Sequence, residues 1–537
     1  MKAKPFLQGA GVATLYVLPI AKRFLDQSLN EAYHHPHPIS SIPLAILATM
    51  LLIWMVSSIA FLAIGRLPER WRNFTSIALG FLLVALLLRF LLFMRNPVYP
   101  SMAVRALGVL PVLLPVVLLL SLWAWQSAPV RYAAAAIALL YCIAGFGMLV
   151  LIPRLAVYSF RSGPPEQTSF QRDGLPVQHT GSRIVWILMD ELSYDQTFDH
   201  RQPGLSLPNF DAFANQSISF SNLQPVGIYT ELVIPGLLRG VPVLDLKTPF
   251  DGRVSFRQIS GGAWQPFDQQ STIFGEAWEL GWNPGVAGWY NPYCRLFPDV
   301  LARCSWQFSD QIPGLNLPVS YNNSVLQNMR ALMPFQSTLQ LLRRNRLDNP
   351  PHRRDYEGVM KNAEDLLRDE RIRFVFLHMP VPHPPGIYDR TRHQLSSRGN
   401  YLDNLVLADD TLGTLMKVLG STLGSGQNNQ QTTIIVSSDH SWRTFWWEGS
   451  DSWSREATRV THGGKFDPRP VLMVHLPGAT AGQVISTPAS VLAVHSILDA
   501  LLREQLHTPA DLERLIDQQP RQFFASQARK ETAGKLN

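Results

Sequence analysis

Apolar positions along this chain fall into two regimes. Before residue 152 they form long unbroken runs, at 42–65, 74–94, 103–125 and 132–152. Each is long enough to cross a bilayer, which takes roughly 20 residues. A shorter run, 6–20, is either a fifth span or a helix lying in the interface, and it lacks the small-residue cleavage site of a removable signal peptide. From residue 183 the pattern changes to short apolar runs at 184–189, 374–377, 433–436 and 471–474, separated by amphipathic stretches such as 356–368 and 404–419. Continuous rather than alternating apolarity predicts strands buried on both faces, as in a parallel sheet covered by helices. The expected fold is an N-terminal multi-span α-helical membrane domain of four to five helices, followed by an α/β sandwich with a mostly parallel sheet. The corresponding boundaries are a membrane domain at 1–152, a Gly-, Pro-, Ser- and Gln-rich linker at 153–182, a second domain at 183–506 and a tail at 507–537.

Charge sets the expected orientation. Arg66, Arg70 and Arg72 crowd one short loop, which the positive-inside rule places in the cytoplasm; three further spans then put everything after residue 152 outside. Lys2 and Lys4 agree with a spanning first segment, whereas Lys22 and Arg23 pull the other way. Arg89, inside the 74–94 run, either snorkels to the interface or meets a lipid phosphate. The net charge of +7 suits anionic lipid or an ordinary solvated surface. Of the three cysteines, Cys142 lies in an apolar run, as a packing residue does. Cys294 and Cys304 flank a short loop; in an oxidising compartment they are expected to pair, and otherwise they are free thiols. His34, His35 and His37 are interrupted by prolines and have no acidic or cysteine partner at ligand spacing, so they read as loop.

Candidate chemistry centres on residues 222–240, NLQPVGIYTELVIPGLLRG, where an irregular segment turns into an apolar helix at Thr230. Helix N-termini carry unpartnered N–H groups and partial positive charge. A hydroxyl there either caps the helix or attacks a bound anion. Acids and histidines gather just after the predicted strands: Asp190 and Glu191, then His378 and His383, then Asp439 and His440. Ligands of open α/β sheets bind at those strand ends. Singly, each has a structural role as turn or core residue; together with Thr230 they make an oxygen–nitrogen shell suited to a divalent cation.

Six segments carry a resemblance in chain order: RIVWILMDELSYD from Arg183, LPNFDAFANQSISFSNLQ at 207–224, TELVIPGLLRG with Thr230 ten positions before Gly240, HMPVPHPPG at 378–386, VSSDHS at 436–441 and FDPRPVLMVHLPG at 466–478. From residue 183 to about 502 the chain resembles the alkaline phosphatase/sulfatase superfamily, and within it the membrane-anchored group of lipoteichoic acid synthases and phosphoethanolamine transferases. The resemblance implies an enzyme acting on a phosphate ester such as a phospholipid headgroup, with Thr230 as nucleophile. It implies Glu191, Asp439 and His440 as metal ligands, with Asp190 as ligand or supporting group and Thr230 also on the metal. His383 would contact the transferred group, and His462 in THGGK would assist the acceptor, which is a glycan, a lipid or water. The cofactor implied is a divalent ion, Zn, Mn or Ca. Membrane lipids are the implied partners, with no nucleic acid, and the location is the cell membrane with the catalytic domain periplasmic. Two departures matter. The Cys-x-Pro-x-Arg motif of formylglycine sulfatases is absent, and Ser441 stands where glycine usually follows the Asp-His pair. An inactive sulfatase-fold protein that binds lipid or regulates envelope synthesis, and a sulfuric ester hydrolase, remain the alternatives.

Two further stretches are left open. WRTFWWEGSDSW, 442–453, fits a membrane interface, an apolar substrate wall or a structural loop. RRNRLDNPPHRR, 343–354, fits a solvated loop or a surface facing lipid phosphates.

Overall fold

The computed structural model of the chain describes residues 3–25, 33, 41–69, 71–72, 75, 83–84, 86–87, 127–160, 167–175, 181–248, 253–258, 262–308, 324–333, 351–422, 431–448, 450, 452–479 and 481–518. The expected span at 103–125, nearly all of that at 74–94, Arg89, the histidines at 34, 35 and 37, and most of the basic stretch at 343–354 lie outside the described residues. The chain divides into two compact units: 1–165 with 248–252 and 310–346, and the remainder.

In the first unit the described helices are α1 (Lys4–Leu25), α2 (Ser41–Gly65), α3 (Ala128–Gly145) and α4 (Met148–Phe160). Among the described residues, Ser41–Gly65 and Ala128–Phe160 are long and apolar enough to cross a membrane. Twenty-five residues of α2 reach about 37 Å at the helical rise, beyond the roughly 30 Å of a hydrocarbon core. Glycines let α1 close on its neighbours: a Cβ at Gly11 would fall 1.9 Å from the Tyr141 carbonyl oxygen of α3, and one at Gly9 2.3 Å from Ser58 Oγ of α2. Only residues without a side chain allow backbones to approach this closely. Ala13, Val17, Ile42, Ala45, Met50 and Leu155 fill the core. Met55, Val56, Ile59, Leu139, Ile143, Leu149 and Val150 face outward. The helix Val325–Leu332 joins this unit, and the Leu332 carbonyl accepts a hydrogen bond from the Tyr16 hydroxyl at 2.6 Å.

The second unit is built on a nine-stranded sheet: β1 (Ser169–Gln171), β2 (Arg183–Met189), β3 (Ile218–Phe220), β4 (Gly285–Trp289), β5 (Arg303–Gln307), β6 (Phe374–Met379), β7 (Thr432–Ser437), β8 (Leu472–His475) and β9 (Gln483–Ile485). Their order is β1-β5-β4-β6-β2-β7-β8-β3-β9. The centre, β5-β4-β6-β2-β7, is parallel. Strand β8 runs antiparallel to both β7 and β3, and β1 antiparallel to β5. Five of its eight pairings are parallel, so the sheet is mostly parallel as expected, with antiparallel neighbours toward its edges because an apolar run reports burial but not direction. Every residue of β2, β6 and β7 is buried, as strands covered on both faces must be. Cover comes from α5 (Thr230–Arg239), α6 (Ile273–Glu279), α7 (Pro351–Leu367), α8 (Tyr401–Thr422) and α9 (Ala493–Leu502). Phe274 of α6, for example, packs on Phe374 and Phe376 of β6.

The stretch 153–182, expected as a linker, holds the end of α4 and the edge strand β1, and the start of the expected tail forms the helix Pro509–Asp517. Cys294 and Cys304 form a disulfide that ties the short helix Tyr293–Leu296 to β5, with Cα atoms 5.5 Å apart.

Candidate active site

Register brings the site together. Leu188 of β2 is paired with His378 of β6 on one side and Ser437 of β7 on the other. Asp190 and Asp439, each two residues beyond, therefore emerge level with one another at the carboxyl end of the sheet. From the other side α5 brings in Thr230. Tyr229 occupies the position before the helix and makes no side-chain cap, and the helix ends on Gly240 at φ 68°. The Thr230 hydroxyl does not cap its helix. It donates to Asp190 Oδ2 at 3.2 Å and lies 3.3 Å from His440 Nε2.

Asp190, Asp439 and His440 form a buried cluster whose ligand atoms lie within 4.8 Å of one another. His440 Nε2 is 3.1 Å from Asp439 Oδ2 and 3.9 Å from Asp190 Oδ1. The Ser441 carbonyl, 3.2 Å from His440 Nδ1, takes the proton there and leaves Nε2 with its lone pair toward the cluster. His378 stands behind: its Nε2 is 3.4 Å from Asp190 Oδ2, and its Nδ1 is 2.8 Å from the Tyr293 hydroxyl.

Burial decides the electrostatics. It pushes the Asp190 carboxyl up to about 8 and, together with the Asp190 charge, the Asp439 carboxyl up to about 7. Burial holds the His378 imidazole down to about 4. His440 is kept well below the usual histidine range by burial and by Arg443. Neutral histidines beside two buried carboxylates are the chemistry of a cation site. Asp190 Oδ1 and Asp439 Oδ2 are buried without hydrogen-bond partners among the described residues. Atoms sharing one ion at about 2.0–2.2 Å sit roughly 3.3 Å apart; the separations of 3.1, 3.2 and 3.3 Å here are close to that, and Asp190 Oδ1 to His440 Nε2, at 3.9 Å, is wider. Asp190, Asp439, His440 and Thr230 therefore fit a divalent cation.

Glu191 is placed differently. Its backbone adopts φ 64°, and its carboxylate pairs with Arg443 Nε while accepting from Trp447 Nε1 at 2.9 and 3.1 Å. Its carbonyl accepts from the Tyr401 hydroxyl at 2.8 Å. Burial raises the Glu191 carboxyl, opposed by Arg443 and Trp447. His383 lies between Trp289 and Trp447, with Nε2 3.1 Å from Arg443 Nη2. His462 is exposed; its ring is 6.0 Å from that of His200, and no hydrogen bond or ion pair joins it to the cluster among the described residues.

The sequence places His378 only among the strand-end groups and assigns no role to Arg443. The position of His378 opposite Leu188 follows from the register. Arg443, three residues after His440, was hidden in a tryptophan-rich stretch; a buried arginine beside aromatic residues was the available signal.

No protein-family model and no curated protein matches the sequence. Solved structures similar to the chain include a phosphonate monoester hydrolase from Silicibacter pomeroyi, at 13% identity over 64% of this chain and 78% of that one, TM-score 0.37. A sulfatase of a Pseudoalteromonas species gives 14% identity over 64% and 70%, TM-score 0.37. An alkaline phosphatase superfamily protein from Vibrio parahaemolyticus gives 14% over 61% and 67%, TM-score 0.34.

Proposed function

We propose that this chain is a membrane-anchored, metal-dependent enzyme of the alkaline phosphatase/sulfatase type that transfers or hydrolyses a phosphate-ester group through Thr230. One observation carries this: a buried threonine hydroxyl at the start of a helix, 3.2 Å from Asp190 and 3.3 Å from His440, inside a cluster of cation-binding groups. A helix cap needs none of these neighbours.

Asp190, Asp439 and His440 would hold the divalent ion, Zn, Mn or Ca, with Thr230 at its edge. When bound, the ion lowers the pKa of the hydroxyl and offsets charge on the group attacked. The Thr230 oxygen forms a bond to phosphorus as the bond to the leaving alkoxide breaks. Asp190 Oδ2 accepts the hydroxyl proton, and the leaving alkoxide takes a proton from water. Water or an acceptor hydroxyl then attacks the same phosphorus, giving up its proton to solvent, as the Thr230 oxygen–phosphorus bond breaks and Thr230 recovers the proton held on Asp190. The N-terminal dipole of α5 favours the anion throughout.

Anchoring is supported by Ser41–Gly65 and Ala128–Phe160 and by their outward apolar side chains. A lipid donor would then share a surface with the enzyme. The disulfide between Cys294 and Cys304 favours an extracytoplasmic site for the second unit.

The test is turnover by the full chain in detergent with Zn, Mn or Ca. The substrates are p-nitrophenyl phosphate, its diester, p-nitrophenyl sulfate and vesicles of phosphatidylethanolamine and phosphatidylglycerol. Metal-dependent turnover of a phosphate ester is expected. Turnover of the sulfate alone would make it a sulfuric ester hydrolase, and binding of vesicles with no turnover would contradict an enzymatic role.

A further inference from the structure

We propose that Arg443 is the cationic clamp for the anionic group transferred at Thr230, and that Glu191 and His383 are the fixed acceptors that position its guanidinium. This rests on the function proposed above and names the group in the same site that recognises the anion.

Arg443 is only 6% exposed. Each of its three nitrogens is held: Nε by the Glu191 carboxylate, Nη1 by the Ile228 carbonyl at 3.0 Å, and Nη2 by His383 Nε2 at 3.1 Å. Ile228 is two residues before Thr230, so the guanidinium is fixed beside the start of α5. Guanidinium only donates, and it carries five N–H bonds. His383 Nε2 must therefore be the acceptor, which puts the His383 proton on Nδ1. Bound in this way, His383 has no lone pair to offer as a base; its task is to aim Arg443.

Three acceptors leave two N–H bonds of Arg443 without one among the described residues. Unpaired buried donors are costly, and these two lie on a guanidinium fixed at the start of α5. Spare donors on a guanidinium held by the carbonyl two residues before Thr230 suit a ligand, and the planar fork of guanidinium matches two oxygens of phosphate or sulfate. The charge also reaches the rest of the site: Arg443 acts electrostatically on Asp190, Asp439, His440 and Glu231.

The tryptophan-rich stretch acquires a role as the wall that holds this arrangement. Trp446 lies against the guanidinium at 5.2 Å, and Trp447 donates to both Glu191 oxygens. Trp442 stacks on Tyr401 at 4.0 Å and 4°, and Tyr401 in turn binds the Glu191 carbonyl. In this arrangement Glu191 balances Arg443, while Asp190 and Asp439 leave two negative charges for a divalent cation.

Inorganic phosphate is the probe, titrated into the metal-loaded full chain in detergent and followed by tryptophan fluorescence and calorimetry, with metal content measured on the same samples. Removing Arg443 alone strands a buried carboxylate, so Arg443→Met is combined with Glu191→Gln, which still accepts from Trp447; Arg443→Lys is the second variant. Both should keep their metal and bind phosphate at least about tenfold more weakly, or about 1.4 kcal/mol. Wild-type affinity in the double variant would overturn the clamp. Loss of metal from it would put Glu191 among the ligands and overturn its assignment here. Loss of phosphate affinity in the Arg443 variants, with turnover preserved in Thr230→Ala, would support the clamp while removing the threonine mechanism. A metal-loaded wild type that binds no phosphate would overturn both.

Discussion

The Tyr293 hydroxyl lies 2.8 Å from His378 Nδ1, on the residue adjoining the disulfide-bonded Cys294. His378 in turn places Nε2 3.4 Å from Asp190 Oδ2. A disulfide-tethered turn thus stands behind a proposed ligand. Groups that orient ligands typically change metal affinity by about 10–100-fold when removed. Tyr293→Phe keeps the ring and deletes the hydroxyl, so it should weaken metal retention toward the lower end of that range. Competition with a chelator measures this, and unchanged affinity would make the contact purely structural.

The disulfide closes a short loop, with the cysteines ten residues apart. Loop-closure entropy then gives about 2–3 kcal/mol of stabilisation. Replacing both cysteines by serine should lower the unfolding temperature of the full chain. Peptide mapping without reductant, on protein taken from native membranes, should find the two joined; recovery of both as free thiols would contradict an extracytoplasmic site.

Stability of the metal-stripped protein should depend on pH in an unusual direction. Asp190 and Asp439 titrate near 8 and 7 in the fold, above the value of about 3.9 for a free aspartate. Between those limits the folded state binds protons that the unfolded chain has released. The contribution is complete below about pH 4 and is lost as pH rises through 7 and 8. A bound divalent ion replaces those protons. Unfolding temperatures at pH 6 and 8.5 should fall apart in the stripped protein and converge with metal present. Equal pH dependence in both would argue against an ion between these carboxylates.

Much of this site was legible in the sequence because its parts answer to strong local rules. Continuous apolar runs marked β2, β6, β7 and β8 within a residue or two, and the acids and histidines directly after them marked the working end of the sheet. The interval from Thr230 to Gly240 likewise delimited α5. Other features depend on distant parts of the chain. Strands β4 and β5 are short, one glycine-rich and the other alternating, and gave no clear run. Strand direction, the pairing of Glu191 with Arg443 and the place of His378 all follow from register, which local pattern does not encode. His462, which the resemblance sets beside the acceptor, is left exposed next to His200 by the fold.

Gly240 offers a test of the helix that carries Thr230. Its φ of 68° suits glycine, and a Cβ there would meet His495 Cδ2 at 2.4 Å. Gly240→Ala should cost at least about 1 kcal/mol and, by shifting α5, reduce turnover as well. Thermal unfolding and activity on one preparation would show both effects, and a neutral substitution would mean that α5 tolerates movement the site should not.

The central claim is that Thr230 becomes covalently bonded to the transferred group. The direct measurement is peptide mass spectrometry of the metal-loaded full chain, quenched in acid during turnover of a phosphate ester. A phosphorus-bearing adduct should appear on the peptide containing Thr230, be absent from Thr230→Ala, and persist at reduced level in Thr230→Ser, where the hydroxyl remains. Thr230→Ala should fold normally, since its hydroxyl is not a cap, and lose turnover by about 10³-fold or more. Wild-type turnover by Thr230→Ala, with no adduct on any Thr230 peptide, would contradict the account.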